Sequence, residues 1–495
     1  MTKSNSPQPL QAALSSRNRP RNRPSLRQGL RDGLEALPMG PAPILVFCLA
    51  LVSALTLRFV PTTRSQADLV FWTFSPDHHA AYLRVIPEFE AGHPGVTADV
   101  LLVHEAAMNQ RLSSVFWAQA NVPDLVEVEN TQTGQYFRGP VDQIGFHDLR
   151  PWLEASGLMA RIPETRLAPY THKGRVFGIP HDVHPVMFAY RADLLEPLLE
   201  KAGMTIDQLD TWEAFTRFAR AYVLPAGHYM LQLEDAAGYN FEPFLYQAGL
   251  DYFDEHGEVV FDREEVVQLL MWWLELVAAE DAISVNFGSW GAPFFRGLAE
   301  GDYLMVIAPD WRTGSIERNL PELHGKMKLM PLPAFESGGR RTSTWGGTML
   351  GITTATPDPD LAFALALHLY ADMEILEDNF RSTNILPADR EAWARPAFQE
   401  ARSYWSGQQI GLEFAALADD LPVQLGHPYL QMAKAQVGDV ISAAVSQWRR
   451  QQSSEGIEEF VRERLRARAA YVRLHVARMP DWDDPADAPK EGAPR

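Results

Sequence analysis

One cysteine in 495 residues, Cys48, rules out an internal disulfide and any thiol cluster for a metal. Cations are scarce too: 44 Lys and Arg stand against 63 Asp and Glu, a formal charge of −19. Phosphate backbones and anionic membranes demand clustered Lys and Arg, so the bulk of the chain is not a nucleic-acid surface. Also missing are the Gly-x-Ser-x-Gly elbow, the phosphate-cradling Gly-x-x-x-x-Gly-Lys-Ser/Thr loop and the Gly-x-Gly-x-x-Gly fingerprint. No cofactor is expected, and any ATP hydrolysis must come from another chain.

What is present describes a folded body. Apolar residues make up 46% and charged residues 22%, and the length suggests two or three globular units. The basic residues that exist concentrate early. Lys3, Arg17, Arg19, Arg21, Arg23, Arg27 and Arg31 face only Asp32 and Glu35. Residues 1–40 therefore read as a disordered basic tail. The uncharged run Pro41 to Leu57, closed by Arg58, makes 41–60 a transmembrane anchor or a signal segment. Its basic flank puts the amino terminus in the cytoplasm and the remainder outside. The small residues Ser65 to Ala67 would suit a peptidase, so cleavage stays open. Residues 479–495, acidic and proline-rich, read as a second disordered tail.

Between the tails, apolar runs at Asp68 to Phe74, Val96 to Val103 and Asp124 to Val128 alternate with helical patterns, which predicts parallel α/β units. Pro180 and Pro185 then bracket an extended stretch that suits a crossover between two bodies. A long helix is predicted over Asp262 to Asp281, opened by an Asp cap, with Trp272 and Trp273 in the core. Tyr303 to Trp311 reads as a buried strand running into a polar loop, and Thr348 to Thr353 as another strand.

The order "FWTFS" at Phe71, "IPEFEAGHPGV" at Ile86, "VPDLVEV" at Val122, "KGRVFGIP" at Lys173, "FAYRADLL" at Phe188, "TWEAF" at Thr211, "APDW" at Ala308 and "TWGGT" at Thr344 resembles the carbohydrate-binding extracellular solute-binding proteins of ABC importers, the family that includes maltose-binding protein. That resemblance implies a two-lobed α/β fold of periplasmic-binding-protein type II with a hinge, preceded here by the amino-terminal hydrophobic helix. Lobe 1 would hold 68–179 plus 346–387, and lobe 2 would hold 180–345 plus 388–478. The implied partners are a sugar or oligosaccharide, ABC permease subunits with a separate ATPase, and the membrane through the amino-terminal helix.

A sugar presents C–H faces and a hydroxyl rim, so its site needs aromatic platforms and charged or polar partners beyond strand ends. Trp72 and Phe74 alternate onto one face of the first strand, with core packing as the alternative. Asp77 matches a family position whose carboxylate meets hydroxyls. Glu129 and Asn130 end the third strand, and Asp182 and His184 sit on the crossover, facing the cleft or capping a turn. The two imidazoles of "HDVH" lack an acid-rich or cysteine neighbourhood, so no metal is expected. Glu242 and Phe244 match a family helix that enters the site; a surface acid and a core Phe are the alternative. Asp310 and Trp311 follow a buried strand, with Trp290 a lesser candidate. Trp345 stands beside Gly346 and Gly347, whose freedom lets a ligand or the other lobe approach closely. Arg381, with Asn384, would supply a guanidinium or lie on a solvated turn. A membrane-tethered receptor feeding a sensor, or a glycosidase using Glu129 with Asp310 or Glu242, would show the same composition.

Overall fold

The computed structural model describes residues 46–52, 65, 67–236 and 238–478. Residues 46–52 are helical with exposed side chains. The rest of the expected anchor and both expected tails lie outside the described residues. Among those described, no helix is long and apolar enough to cross a membrane.

The described residues from Ser65 to Arg478 form a compact unit built on two five-stranded sheets. The strands are β1 (Leu69–Thr73), β2 (Ala98–Leu102), β3 (Leu125–Glu129), β4 (Thr171–His172), β5 (Arg175–Val176), β6 (Ile179–Pro180), β7 (Val186–Arg191), β8 (Tyr229–Gln232), β9 (Ser284–Val285), β10 (Tyr303–Pro309), β11 (Met327–Pro331) and β12 (Thr348–Ile352). The first sheet runs β2-β1-β3-β12-β6 and the second β11-β7-β10-β8-β9. As expected from the alternation of strand and helix, β1 pairs in parallel with β2 and β3. Only β12, returning late in the chain, lies antiparallel to β3.

The central strands of each sheet are covered on both faces, which suits their apolar runs, whereas the edge strand β2 exposes Leu101 and Leu102. Leu69, Phe71, Leu125 and Leu350 pack with Tyr82 and Phe363 from the helices Pro76–Gly92 and Pro359–Ala371. Val126, Val128 and Met349 on the opposite face meet Phe137, Phe146 and Tyr170. In the second sheet Phe188, Leu304 and Ile307 pack on the helices Trp212–Phe218, Glu264–Ala278, Leu430–Gln451 and Ile457–Val476. Met187, Ala189, Val306 and Ala308 face Phe294, Leu376, Phe380, Phe398 and Trp405.

Two local expectations need correction. Arg263, not Asp262, occupies the N-cap of the helix Glu264–Ala278, with no side-chain cap. Asp262 instead receives the Arg473 guanidinium at 2.6 and 2.8 Å, a charged pairing stronger than a cap to a neutral amide. The polar loop expected after β10 is absent: the helix Asp310–Asn319 begins at once.

Three chain segments pass between the two sheets and lie side by side. His181 N donates to Thr348 O at 2.9 Å, Val183 N to Leu386 O at 3.0 Å, and Val186 N to Ser343 O at 3.0 Å. Isolated bridges pair Asp182 with Pro387 and Pro185 with Thr344. The ends of β3, β7, β10 and β12 therefore converge on one seam.

Candidate functional site

On the second-sheet side of the seam, four aromatic rings and one guanidinium form a group. Trp290 and Trp311 stack with centroids 5.3 Å apart and 19° between planes. Trp345 lies 5.9 Å from Trp311 and 4.8 Å from Tyr239. Beneath them Arg312, 1% exposed, places its Cζ 4.6 Å from the Trp345 ring, 4.9 Å from Trp290 and 5.1 Å from Trp311. A desolvated cation against several indole faces is held by their quadrupoles, which also fixes the ring arrangement. Burial pulls the Arg312 pKa down to about 10, still leaving it charged at neutral pH. The outermost rings keep an open face: Trp290 is 52% exposed and Tyr239 37%.

Across the seam, β3 ends in Glu129, which caps the helix Asn130–Thr133 by accepting from Thr131 N at 3.1 Å and from Thr131 Oγ1. Burial raises the Glu129 carboxyl to about 7; Lys434 opposes the shift, while Glu242 and Glu105 add to it. Lys434 is itself committed, ion-paired to Glu242 at 2.5 Å. One lysine thus serves two carboxylates, and Glu129 is the less compensated. The Tyr239 hydroxyl, on the opposite sheet's side, feels both carboxylates.

Asn130 ties the edge to the crossing segment. Its Nδ2 donates to Gly346 O at 2.9 Å and Gln424 Oε1 at 2.7 Å, and its N–H to Gly347 O at 2.9 Å. Gly346 and Gly347 hold φ of +85° and +137°. A Cβ at Gly347 would lie 2.3 Å from Arg166 Nη2 and 3.0 Å from Asn130 Nδ2, so both glycines are required by backbone angle and Gly347 by space as well.

The structure brings Glu129, Asn130, Glu242, Trp311, Trp345, Gly346 and Gly347 to this seam. Trp72 and Phe74 sit half-buried against the Val128 core. Other candidates are spent elsewhere. Phe244 is fully buried, edge-on to Trp212 and Trp272. Asp182 and Asp310, both 0% exposed, are saturated by neighbours: Asp182 by Arg166 at 3.3 Å, His181 and His184, and Asp310 by His184, Leu386 N and Trp311 N. Asp77 receives Arg318, and Arg381 pairs with Asp378 and Glu400 on the outer surface. Sequence reading missed Arg312, Tyr239, Lys434 and Gln431, which donates to Thr131. The only local signal was Arg312 directly following "DW".

A second polar cluster lies within the first sheet. His78, Glu127 and His181 bring ligand-type atoms within 4.8 Å of one another. Glu127 already accepts from Thr73, His78, Tyr82 and Tyr370, and the His78 and His181 rings lie against each other at 4.0 Å. The two rings are tilted 32° to one another, and protein partners already engage the group, His181 through Asp182 and Glu127 through four donors. The group reads as a closed hydrogen-bonded cluster.

Residues 75–372 match the model of the bacterial extracellular solute-binding protein family. An arabinooligosaccharide-binding protein of Bacillus subtilis is 24% identical over 387 residues, covering 77% of this chain and 87% of that one. A mannitol-binding protein of Pseudomonas aeruginosa is 22% identical, with 73% and 85% covered. Among solved structures, the sugar-binding protein MalE of Xanthomonas citri superposes with a TM-score of 0.68 at 17% identity, over 83% of this chain and 99% of that one. The lacto-N-biose-binding protein of Bifidobacterium longum gives 0.67 at 14% identity, over 83% and 97%. With the two-sheet fold and three crossing segments already established, the chain belongs to the bacterial extracellular solute-binding proteins.

Proposed function

We propose that this chain is the extracytoplasmic substrate-binding component of a carbohydrate ABC importer and takes a sugar or oligosaccharide at the seam between its two sheets. The observation that carries the reading is that Tyr239, joined to the half-exposed Trp290 through Trp345 and Trp311, lies close enough to feel the under-compensated carboxylate of Glu129. Rings cover the C–H faces of a pyranose or furanose, and a carboxylate accepts from its hydroxyls. Glu129, Asn130, Glu242, Trp311, Trp345, Gly346 and Gly347 would wall the site, with Tyr239, Trp290 and Lys434 added, while Trp72 and Phe74 would back it from the Val128 core. In this reading Asp77, Asp182, Phe244, Asp310 and Arg381 are structural.

The two sheets would act as lobes closing about the three crossings, and the closed form would dock on permease subunits powered by a separate ATPase. After β12 the chain would leave the first lobe near Asp372, where Leu376 and Phe380 enter the second core, and would return to the seam at 384–388, where Leu386 meets the second core and Ala388 the first. The segment 41–60 would tether the protein or direct its export. The carboxylates serve as ligand contacts, so a bound sugar should be returned unchanged.

Calorimetric titration of the purified chain with arabinooligosaccharides, maltooligosaccharides, lacto-N-biose and mannitol tests the reading. Binding of at least one carbohydrate, with no new product after long incubation, is expected. Silence across the panel, or hydrolysis of a sugar, would sink it.

A further inference from the structure

The three crossings are joined by a chain of alternating charges. Arg166, from the first sheet's side, reaches Asp182 Oδ1 at 3.3 Å and Thr344 Oγ1 at 3.0 Å. Asp182, on the first crossing, also accepts from Thr348 N on the second, at 3.3 Å. His184 Nε2 lies 3.1 Å from Asp182 Oδ2, and its Nδ1 lies 2.5 Å from Asp310 Oδ1. Asp310 Oδ2 accepts from Leu386 N on the third crossing at 2.7 Å, and Oδ1 accepts from Trp311 N at 2.7 Å. All four side chains are buried.

A neutral imidazole has one N–H, yet here both ring nitrogens face carboxylates. Only the imidazolium satisfies both. His184 also holds φ at +53°, a conformation that costs a non-glycine residue on the order of 1–3 kcal/mol unless its surroundings fix it.

We infer that the His184 imidazolium, clamped between Asp182 and Asp310, is a positioning residue that pins the three crossings together and holds the Trp311 platform in register. Lost charge would put two buried carboxylates against a ring able to donate to only one. Burial opposes the charge on His184, but Asp182 and Asp310 outweigh it and hold the proton up to about 9. Arg166 and His181 reach the pin through Asp182, and His78, from the first sheet's side, opposes the His184 charge from a distance. The inference rests on the two-lobed reading, and the test below needs no ligand, so it fails or stands apart from the sugar assignment.

The test is amide hydrogen exchange on the full chain, wild type against His184→Asn. Asparagine tolerates the left-handed backbone but cannot carry the charge. Exchange should rise about tenfold or more in peptides covering 181–186, 343–348 and 384–388 together, with β1, β3, β10 and residues 187–191 of β7 unchanged. Adding Asp310→Asn should restore part of the protection by removing the unpaired carboxylate. Wild type taken from pH 7 to 10 should show the same three-segment acceleration beyond the intrinsic rate increase; this arm decides the matter if the variant does not fold. Acceleration limited to 181–186, uniform acceleration of the whole body, or a flat pH response in the crossings would overturn the inference.

Discussion

Glu127 and Glu129 lie two residues apart on β3, on the same side of the strand, yet their carboxyls shift in opposite directions. Burial raises both. At Glu127 the His78 charge, with donors from Thr73, Tyr82 and Tyr370, wins and carries the pKa down to about 2. At Glu129 Thr131 and the shared Lys434 do not offset burial, and the pKa reaches about 7. Position on the strand therefore does not set ionisation; the number and charge of donors does. One carboxylate is finished as part of the core, and the other leaves acceptor capacity at the seam.

The comparison breaks most violently at Glu127. Glu127→Ala leaves His78 and two tyrosine hydroxyls buried without their acceptor, so unfolding in urea should show a loss of about 3–5 kcal/mol. Because the folded pKa of Glu127 lies below its unfolded value, its contribution is present above about pH 4.5 and lost as pH falls toward 2. Acid unfolding of wild type should steepen in that window, and a curve flat between pH 5 and 3 would contradict the assignment.

Trp311→Ala addresses the seam instead. Removing the half-buried indole should weaken carbohydrate binding about tenfold or more while lowering Tm by only a few degrees. A large Tm loss with unchanged affinity would make Trp311 a core residue. Arg381→Ala, on the outer surface among Asp378 and Glu400, should leave both Tm and binding essentially unchanged, because exposed pairs are screened by water and salt. A measurable loss of affinity there would move the site.

Much of the fold was legible because its signals are local. Apolar runs as short as Tyr303 to Pro309 are too brief for a buried helix and read as central strands, and the parallel opening of β1, β2 and β3 follows from strand and helix alternating with short connections. The candidate site was legible only as a place: Glu129 and Trp311 stand out from the sequence because each ends or follows a strand, and the structure brings both to the seam. Asp310 looked like a free acid for the same reason, but its partner His184 stands 126 residues away, a pairing no local pattern reveals. Phe244 was equally opaque, since an aromatic on a short helix reads the same whether it faces a ligand or Trp212. Arg312 escaped because an arginine normally signals solvent, whereas here three indoles and Phe294 desolvate it.

The central claim is that Glu129 is the ionisable seam carboxylate that meets the ligand. Affinity for the tightest-binding carbohydrate of the calorimetric panel, followed from pH 5 to 9 in wild type and Glu129→Gln, tests it most directly. An ionised carboxylate accepts hydroxyl hydrogen bonds more strongly than a protonated one, so wild-type affinity should rise as pH passes about 7 and the variant should be weaker and flat. The same slope in both proteins, or no slope in wild type, would contradict the account.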